Sequence, residues 1–311
     1  MVIYNESIMS QVVPIKRSPF FYVGDKFKLI REIKEYFPKK INNFYEPFLG
    51  GGSVFLNVKA NKYYLNDIDK NLISLHKTLE SYSNKNKVFF KKIKKIIYDY
   101  NLSRSYVENV IPESLKVKWI KTYYAKFNKE GYSNLRNNYN SSKKRSPLDL
   151  YVLLIYGFNR MLRFNSANEF NIPVGNVDFN KNVVEALNNY FETINEREVE
   201  FSSNDYLSFL KVKYKKDDFV YIDPPYLITF SEYNKLWNEL KEKELLNILD
   251  FLNKKKVKFA LSNVIYYRGR ENKILIDWMQ KYNVYPIKSN YISYHNNSMK
   301  DIKEILITNY D

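Results

Sequence analysis

NFYEPFLGGGSVFLNVKANKYYLND, Asn43 to Asp67, opens with a short apolar run, Asn43 to Phe48, that leads directly into the glycines of LGGGS. The helix-compatible VFLNVKAN follows, and KYYLND then reads as a second strand ending in Asp67. Strand, glycine turn, helix and strand in that order begin an α/β sheet. Glycines just past a strand let a ligand approach the backbone, and the N-terminus of the next helix is electropositive. The spacing falls short of G-x-G-x-x-G and no Lys-Ser or Lys-Thr pair follows, so a purely structural tight turn is the plain alternative. Asp67 also has two readings. An acid ending the second strand of a doubly wound sheet can hold ribose hydroxyls, and a lone Asp can instead cap the helix that begins near Lys70. Taken together, turn and acid favour an adenosine-containing ligand.

Outward from this segment the sheet pattern lapses and then returns. Asp69 to Tyr100 is Lys-rich and helical in character; Asn101 to Ser146 is irregular, polar and basic, with YSNLRNNYNSSKKRSP as its most solvated part. After Pro147, LDLYVLLIYGFNRML has the broad apolar face of a packed helix, and RFNSANEFNIPVGN reads as a polar, turn-rich loop. VEFSSND (Val199 to Asp205), DFVYIDPP (Asp218 to Pro225) and VKFALSN (Val257 to Asn263) each end an apolar run in polar residues, and the helical KEKELLNILDFLNKK separates the last two. NVYPIKSN and IKEILITNY supply two closing strands. Asp67 and Val199 lie roughly 130 residues apart, far beyond a usual crossover. A second, mostly helical domain, residues 76–184, is therefore expected to interrupt a sheet domain made of residues 1–75 and 185–311.

The 311 residues are 45% hydrophobic and 17% aromatic, ample for a folded core. Lys plus Arg number 50 against 34 Asp plus Glu, and the formal charge of +16 suits a polyanionic partner, nucleic acid or an anionic membrane surface. AT-rich codon usage, which also enriches Asn, Ile and Tyr, explains the same excess without any partner. The absence of cysteine excludes disulfides, thiolate nucleophiles and Cys-ligated metal centres. His76 and His295 are the only imidazoles; both read as solvated surface positions, and neither a metal site nor a Ser-His-Asp triad is expected. No stretch approaches about 18 uninterrupted apolar residues, and MVIYNESIMSQ lacks a basic segment followed by an apolar one. A soluble, cytoplasmic protein is expected.

VYIDPPYLITF, Val220 to Phe230, carries the chemistry. Its strand-like run stops at two prolines that remove backbone donors and leave carbonyl acceptors pointing outward. Ligands of open α/β sheets lie at the carboxyl ends of the strands, so Glu46, Gly50, Asp67, Asp205 and Asp223 are expected to line one crevice. An exocyclic amino group on a base is a poor nucleophile because its lone pair is delocalised into the ring. The Asp223 carboxylate and the Pro224 carbonyl could bond its two hydrogens and draw the nitrogen toward tetrahedral geometry, with Tyr226 stacked on the ring.

These residues form the signature of amino-directed methyltransferases that use S-adenosylmethionine. FFYVGDKFKLI, FYEPFLGGGSVFLN, LNDIDKNLI, YGFNRMLRFNSANEFNIPVGN, YIDPPY and FALSN, spread over most of residues 20 to 265, together resemble the Dam-like class of DNA adenine-N6 methyltransferases of DPPY type. The resemblance implies a Rossmann-like S-adenosylmethionine-dependent sheet interrupted by a helical target-recognition domain. It implies cofactor contacts at Tyr22, where many relatives have Trp, at Lys26, at Glu46, Pro47, Phe48 and Gly50, at Asp67 on the ribose, at Asp205 and Tyr206 beside the adenine, and at Asp223. Asp223, Pro224, Pro225 and Tyr226 are the implied catalytic set. Without the resemblance, Lys26 reads as a solvated surface lysine.

The resemblance also makes YGFNRMLRFN a DNA-contacting helix. Phe158 would wedge into the base stack, Asn159 hold a phosphate, Arg163 read a guanine edge, and Met161 and Pro173 touch bases. On spacing alone, Phe158 and Met161 are core residues. One departure stands out: FYVGDK replaces the Lys-Trp-Ala-Gly-Gly-Lys common in the class, so Phe21 occupies the place of a lysine that contacts guanine in GATC enzymes, and Asp25 that of a glycine. GATC recognition is therefore not expected, and the basic segment Lys143 to Arg145 becomes a candidate for a different reader. The expected activity is methylation of N6 on an adenine flipped out of duplex DNA, in a restriction-modification system with a cognate endonuclease or as a solitary methylase. The rivals are methylation of another amino group, on cytosine, RNA or a protein glutamine, and a non-catalytic DNA-binding module.

Overall fold

The computed structural model describes residues 14–108, 110–230, 237–288 and 302–311. His295, the segment MVIYNESIMSQ and the end of NVYPIKSN lie outside the described residues. The chain begins with a short helix α1 (Ile30–Ile33), strands β1 (Asn43–Glu46) and β2 (Lys62–Asn66), and helices α2 (Lys70–Tyr82) and α3 (Asn86–Asp99). Helices α4 (Glu113–Lys118), α5 (Tyr123–Ser141), α6 (Pro147–Tyr156) and α7 (Lys181–Asn195) follow, then β3 (Glu198–Ser202), α8 (Tyr206–Leu210) and β4 (Phe219–Ile222). The rest is α9 (Glu239–Lys254), β5 (Lys258–Tyr267), β6 (Arg270–Glu271), α10 (Lys273–Met279), β7 (Asn283–Ile287) and β8 (Ile302–Thr308).

The strands form one mixed sheet in the order β3-β2-β1-β4-β5-β8-β7, with β6 paired to β5. β3, β2, β1, β4 and β5 are mutually parallel, and β8 runs antiparallel between β5 and β7. Chain order reverses between β1 and β4, which makes the carboxyl ends of those two strands the ligand-binding crevice. β4 is buried on both faces: Phe219 and Tyr221 join one core, Val220 and Ile222 the other. This is why its sequence reads as an unbroken apolar run and not as an alternating one. Helices α2, α3, α5, α6 and α7 cover the first face, with Leu72, Phe89, Leu135, Leu153 and Tyr190 in one continuous cluster with Phe44 and Phe219. Leu210 of α8, Leu249 of α9 and Leu275 of α10 cover the second. Among the described residues, no helix is long and apolar enough to cross a membrane.

Three expectations are corrected. VFLNVKAN holds only a 3-10 turn at Phe55–Asn57. The Arg197 guanidinium binds the Phe55 and Leu56 carbonyls, acceptors that a continuing helix would have needed. YSNLRNNYNS is not irregular: it completes the 19-residue α5, whose buried Asn128, Tyr132, Leu135 and Tyr139 recur at helical spacing. The helix after Pro147 ends at Tyr156 and does not continue through GFNRML. There the backbone turns outward to pair with the returning chain: Phe158 N–H donates to Pro173 O (2.8 Å) and Gly175 N–H to Tyr156 O (2.7 Å).

Candidate active site

At the carboxyl end of β1 the chain leaves Glu46 through Pro47, Phe48 and Leu49 into the glycine turn. Gly50 N–H donates to Asp67 Oδ2 at 2.9 Å, and Asp69 N–H donates to Asp67 Oδ1 at 3.0 Å. Asp67 thus ties the turn to the end of β2, while Asp69 is the cap of α2, accepting from Asn71 and Leu72 N–H. Each Asp67 oxygen keeps a second lone pair for a ligand hydroxyl. Burial pushes the Asp67 carboxyl up to about 6, against the pull of the two N–H donors. Tyr22 packs on the turn, so closely that a side chain on Gly51 would lie 2.8 Å from its Cβ. Asn66 knits the neighbouring strand ends by donating to Pro47 O (3.1 Å) and Asn204 O (3.0 Å).

His76 is not a surface residue; it is fully buried beneath the turn. Its Nε2 lies 3.0 Å from Gly50 O and its Nδ1 lies 2.9 Å from Tyr190 Oη. A carbonyl can only accept, so Nε2 carries the proton and Nδ1 accepts from the tyrosine. Burial pushes the imidazole down to about 4, keeping it neutral. The signal for this placement was its α2 spacing with the buried Leu72 and Leu79.

Asp223 emerges from β4 across the switch point. Its Oδ2 pairs with Lys26 Nζ at 2.8 Å, and its Oδ1 accepts from Tyr226 Oη at 2.8 Å. Glu304, in β8, stands behind both partners: its Oε1 is 3.7 Å from Lys26 Nζ and 3.4 Å from Tyr226 Oη. Lys26 is 3% exposed, so the surface-lysine reading is wrong. The sequence reading missed Glu304, whose signal was a lone acid in the otherwise apolar EILIT. The antiparallel run of β8 opposite Val264 carries it to the carboxyl edge of the parallel strands.

The charges of this network are unbalanced. Burial, then the negative charge of Asp223, raises the Glu46 carboxyl well above the usual carboxylate range. Burial raises Glu304 as well, opposed chiefly by the Lys26 ammonium. Glu46 Oε2 and Glu304 Oε2 are buried with no hydrogen-bond partner. Buried acceptors left unpaired call for an explanation. Next to a glycine turn and a ribose-type acid, they suit a ligand that combines positive charge with sugar hydroxyls.

The remaining residues divide. Phe48 and Tyr206 pack at 5.1 Å between ring centroids, with Trp237 at 5.8 and 5.7 Å from them, an aromatic wall on the second face of the sheet. Asp205 is exposed, and its carboxylate accepts from Leu207 N–H as the cap of α8. Ser262 and Asn263 serve the scaffold, bonding Tyr221 and Glu242. In the loop beyond α6, Phe158 is 51% exposed, Asn159 and Pro173 are exposed, and Met161 packs against the core. Arg163 Nε donates to Asn171 Oδ1 at 2.9 Å across a short hairpin closed by the Phe164 and Phe170 bridge. Arg145 is held by the carbonyls of Asn168 and Asn140, so its guanidinium is committed to joining two loops.

This three-layer fold, with a glycine turn and an Asp-Pro-Pro-Tyr strand end flanking its switch point, defines a class. The chain belongs to the D12 class N6 adenine-specific DNA methyltransferase family, whose pattern matches residues 22–293. It is 38% identical to the type II methyltransferase M.FokI of Planomicrobium okeanokoites over 94% of this chain and 43% of that one. It is 34% identical to the modification methylase StsI of Streptococcus sanguinis over 95% and 43%, and 31% identical to a DNA adenine methylase of Haemophilus influenzae over 71% and 68%. The chain thus spans less than half the length of the first two relatives.

Proposed function

We propose that this chain transfers a methyl group from S-adenosylmethionine to N6 of an adenine flipped out of duplex DNA, as a restriction-modification or solitary methylase. The observation that carries the reading is the placement of Asp223 at the switch point, gripped by Lys26 and Tyr226. The cofactor supplies a methyl carbon on a positively charged sulfur. Asp67, the glycine turn, Tyr22 and the aromatic wall of Phe48 and Tyr206 would hold its adenosine end, and Lys26, Glu46 and Asp223 its amino-acid end. The unpartnered Glu46 oxygen fits such a cationic ligand.

Each Asp223 oxygen has one partner, Lys26 or Tyr226, and keeps a second lone pair, and the target amine would take one of these lone pairs or displace a partner. Glu304 Oε1 provides the alternative, since Lys26 and Tyr226 both already lie within 3.7 Å of it. Asp223 accepts one N6 hydrogen and the Pro224 carbonyl the other; this localises the nitrogen lone pair for attack. As the nitrogen–carbon bond forms and the carbon–sulfur bond breaks, the amine becomes cationic and sheds a proton to Asp223, which passes it to water. Tyr226 stacks on the base. Residues 76–184 serve as the target-recognition insertion, with Phe158, Asn159 and Arg163 at the duplex; the DNA substrate fits a cytoplasmic location, and the restriction-modification form of the reading adds a cognate endonuclease. Labelled methyl transfer to duplex DNA, followed by nucleoside analysis, should yield N6-methyladenine. N4-methylcytosine as the product, or label appearing only in RNA or protein, would refute the reading.

A further inference from the structure

Phe21, which occupies the place of the class lysine, has unusual surroundings. Its own backbone is left-handed (φ 49°), a conformation that bulky residues seldom adopt. Two guanidiniums contact its ring, Arg160 at 4.0 Å and Arg17 at 4.5 Å from the centroid. Arg160 is itself the second of two consecutive left-handed residues, with φ of 51° at Asn159 and 50° at Arg160. Backbone strain of this kind persists only where the surroundings over-determine it, and it concentrates at ligand clamps.

The electrostatics around the pair are unsatisfied. The acids that act on the two arginines are Asp178 and Asp25. Both are committed elsewhere, Asp178 to the Ser105 N–H and hydroxyl, Asp25 to Phe27 N–H and the Ser53 hydroxyl. Arg160 Nε is buried with no hydrogen-bond partner. Burial, with Arg17 adding to it, pushes the Arg160 guanidinium down to about 10, still fully charged at neutral pH. Next to it, Phe158 and Asn159 are exposed, as an element facing a duplex must be.

We propose that Arg160, braced over the Phe21 ring beside Arg17, reads a guanine edge of the target DNA in place of the class lysine. A desolvated planar fork in a fixed pose matches the paired O6 and N7 acceptors of guanine. A phosphate contact needs charge but no such bracing. Phe21 and Arg17 are positioning residues: the ring supplies the platform, and Arg17, on which Asp25 acts, adds a second positive charge beside Arg160. Arg163 reads a separate base from its own Asn171 support.

The proposal rests on the DNA methyltransferase reading, and its test keeps the two apart. Wild type, R160A and R160K are each used for binding selection from a random-sequence duplex library, and their methylated sites are mapped on the same library. The expected result is loss of preference for guanine at one position in both variants, with a drop of roughly ten- to hundred-fold on the wild-type site. S-adenosylmethionine binding and the melting temperature should be unchanged. R160K keeps the charge and loses the fork, so it should retain most non-specific affinity while still losing the preference. An unchanged preference at every position, whether the rate is intact or uniformly reduced, overturns the proposal. Absence of methyl transfer by wild type on any duplex would sink the enzymatic reading alone, since the binding selection still decides the role of Arg160.

Discussion

At the scale of single residues, the site is a set of carboxyls whose states are fixed by what surrounds them. Asp223 is kept in place by a cation and a hydroxyl, Glu46 is pushed toward its neutral form, and Asp67 is tied to backbone donors. His76 is the supporting residue most open to a test by pH. Its folded value of about 4 lies below the ordinary 6.5, so the unfolded chain binds the extra proton. Stability from its neutral form is complete above about pH 6.5 and is lost as pH falls toward 4, a contribution of about 3 kcal/mol. Asp67 works in the opposite direction, because its raised carboxyl takes up a proton in the folded state between its ordinary 3.8 and about 6. The informative quantity is therefore a difference. Denaturant melts of wild type and His76→Gln from pH 7 to pH 4 should show wild type losing more stability on acidification than the variant, and parallel curves would remove the histidine from the account.

At the scale of elements, the glycine turn is the most constrained. Gly52 has φ +78°, and a Cβ there would lie 2.4 Å from the buried ring of Phe55. Gly52→Ala should cost on the order of 1–3 kcal/mol. The check is the denaturation midpoint, and an unchanged value would show that the turn relaxes freely. Strands β1 to β5, β7 and β8 and helix α9 were legible because each holds several apolar or aromatic residues at strand or helix spacing and ends in polar residues. Helix α5 was not, since its buried Tyr132, Leu135 and Tyr139 are diluted by Asn, Ser and Lys that signal loops. The end of α6 was hidden by GFNRML, which has helical spacing, but the Phe158 N–H is claimed by the Pro173 carbonyl and the Tyr156 carbonyl by the Gly175 N–H across the hairpin. Lys26 and Asp223 were marked in the sequence by motif order, and they meet in an ion pair. Glu304 and Arg160 were not, because their contacts arise from strand order and from a left-handed turn, which no local pattern encodes.

At the scale of the whole molecule, the order β3-β2-β1-β4-β5-β8-β7 makes one edge out of segments nearly 300 residues apart. Lys26 from before β1, Asp223 from after β4 and Glu304 from β8 meet only because the sheet reverses between β1 and β4 and β8 inserts antiparallel. The helices between β2 and β3 share their core with that sheet, so the strand ends and the hairpin beyond α6 rest on one packed body. The net charge of +16 suits the DNA substrate of the family as a general electrostatic attraction. The central claim is that Asp223 prepares an amino nitrogen for methylation. Single-turnover methyl transfer to duplex DNA by Asp223→Ala tests it most directly. The rate should fall by about 10²- to 10⁴-fold with duplex affinity largely retained, and a rate close to wild type would contradict it.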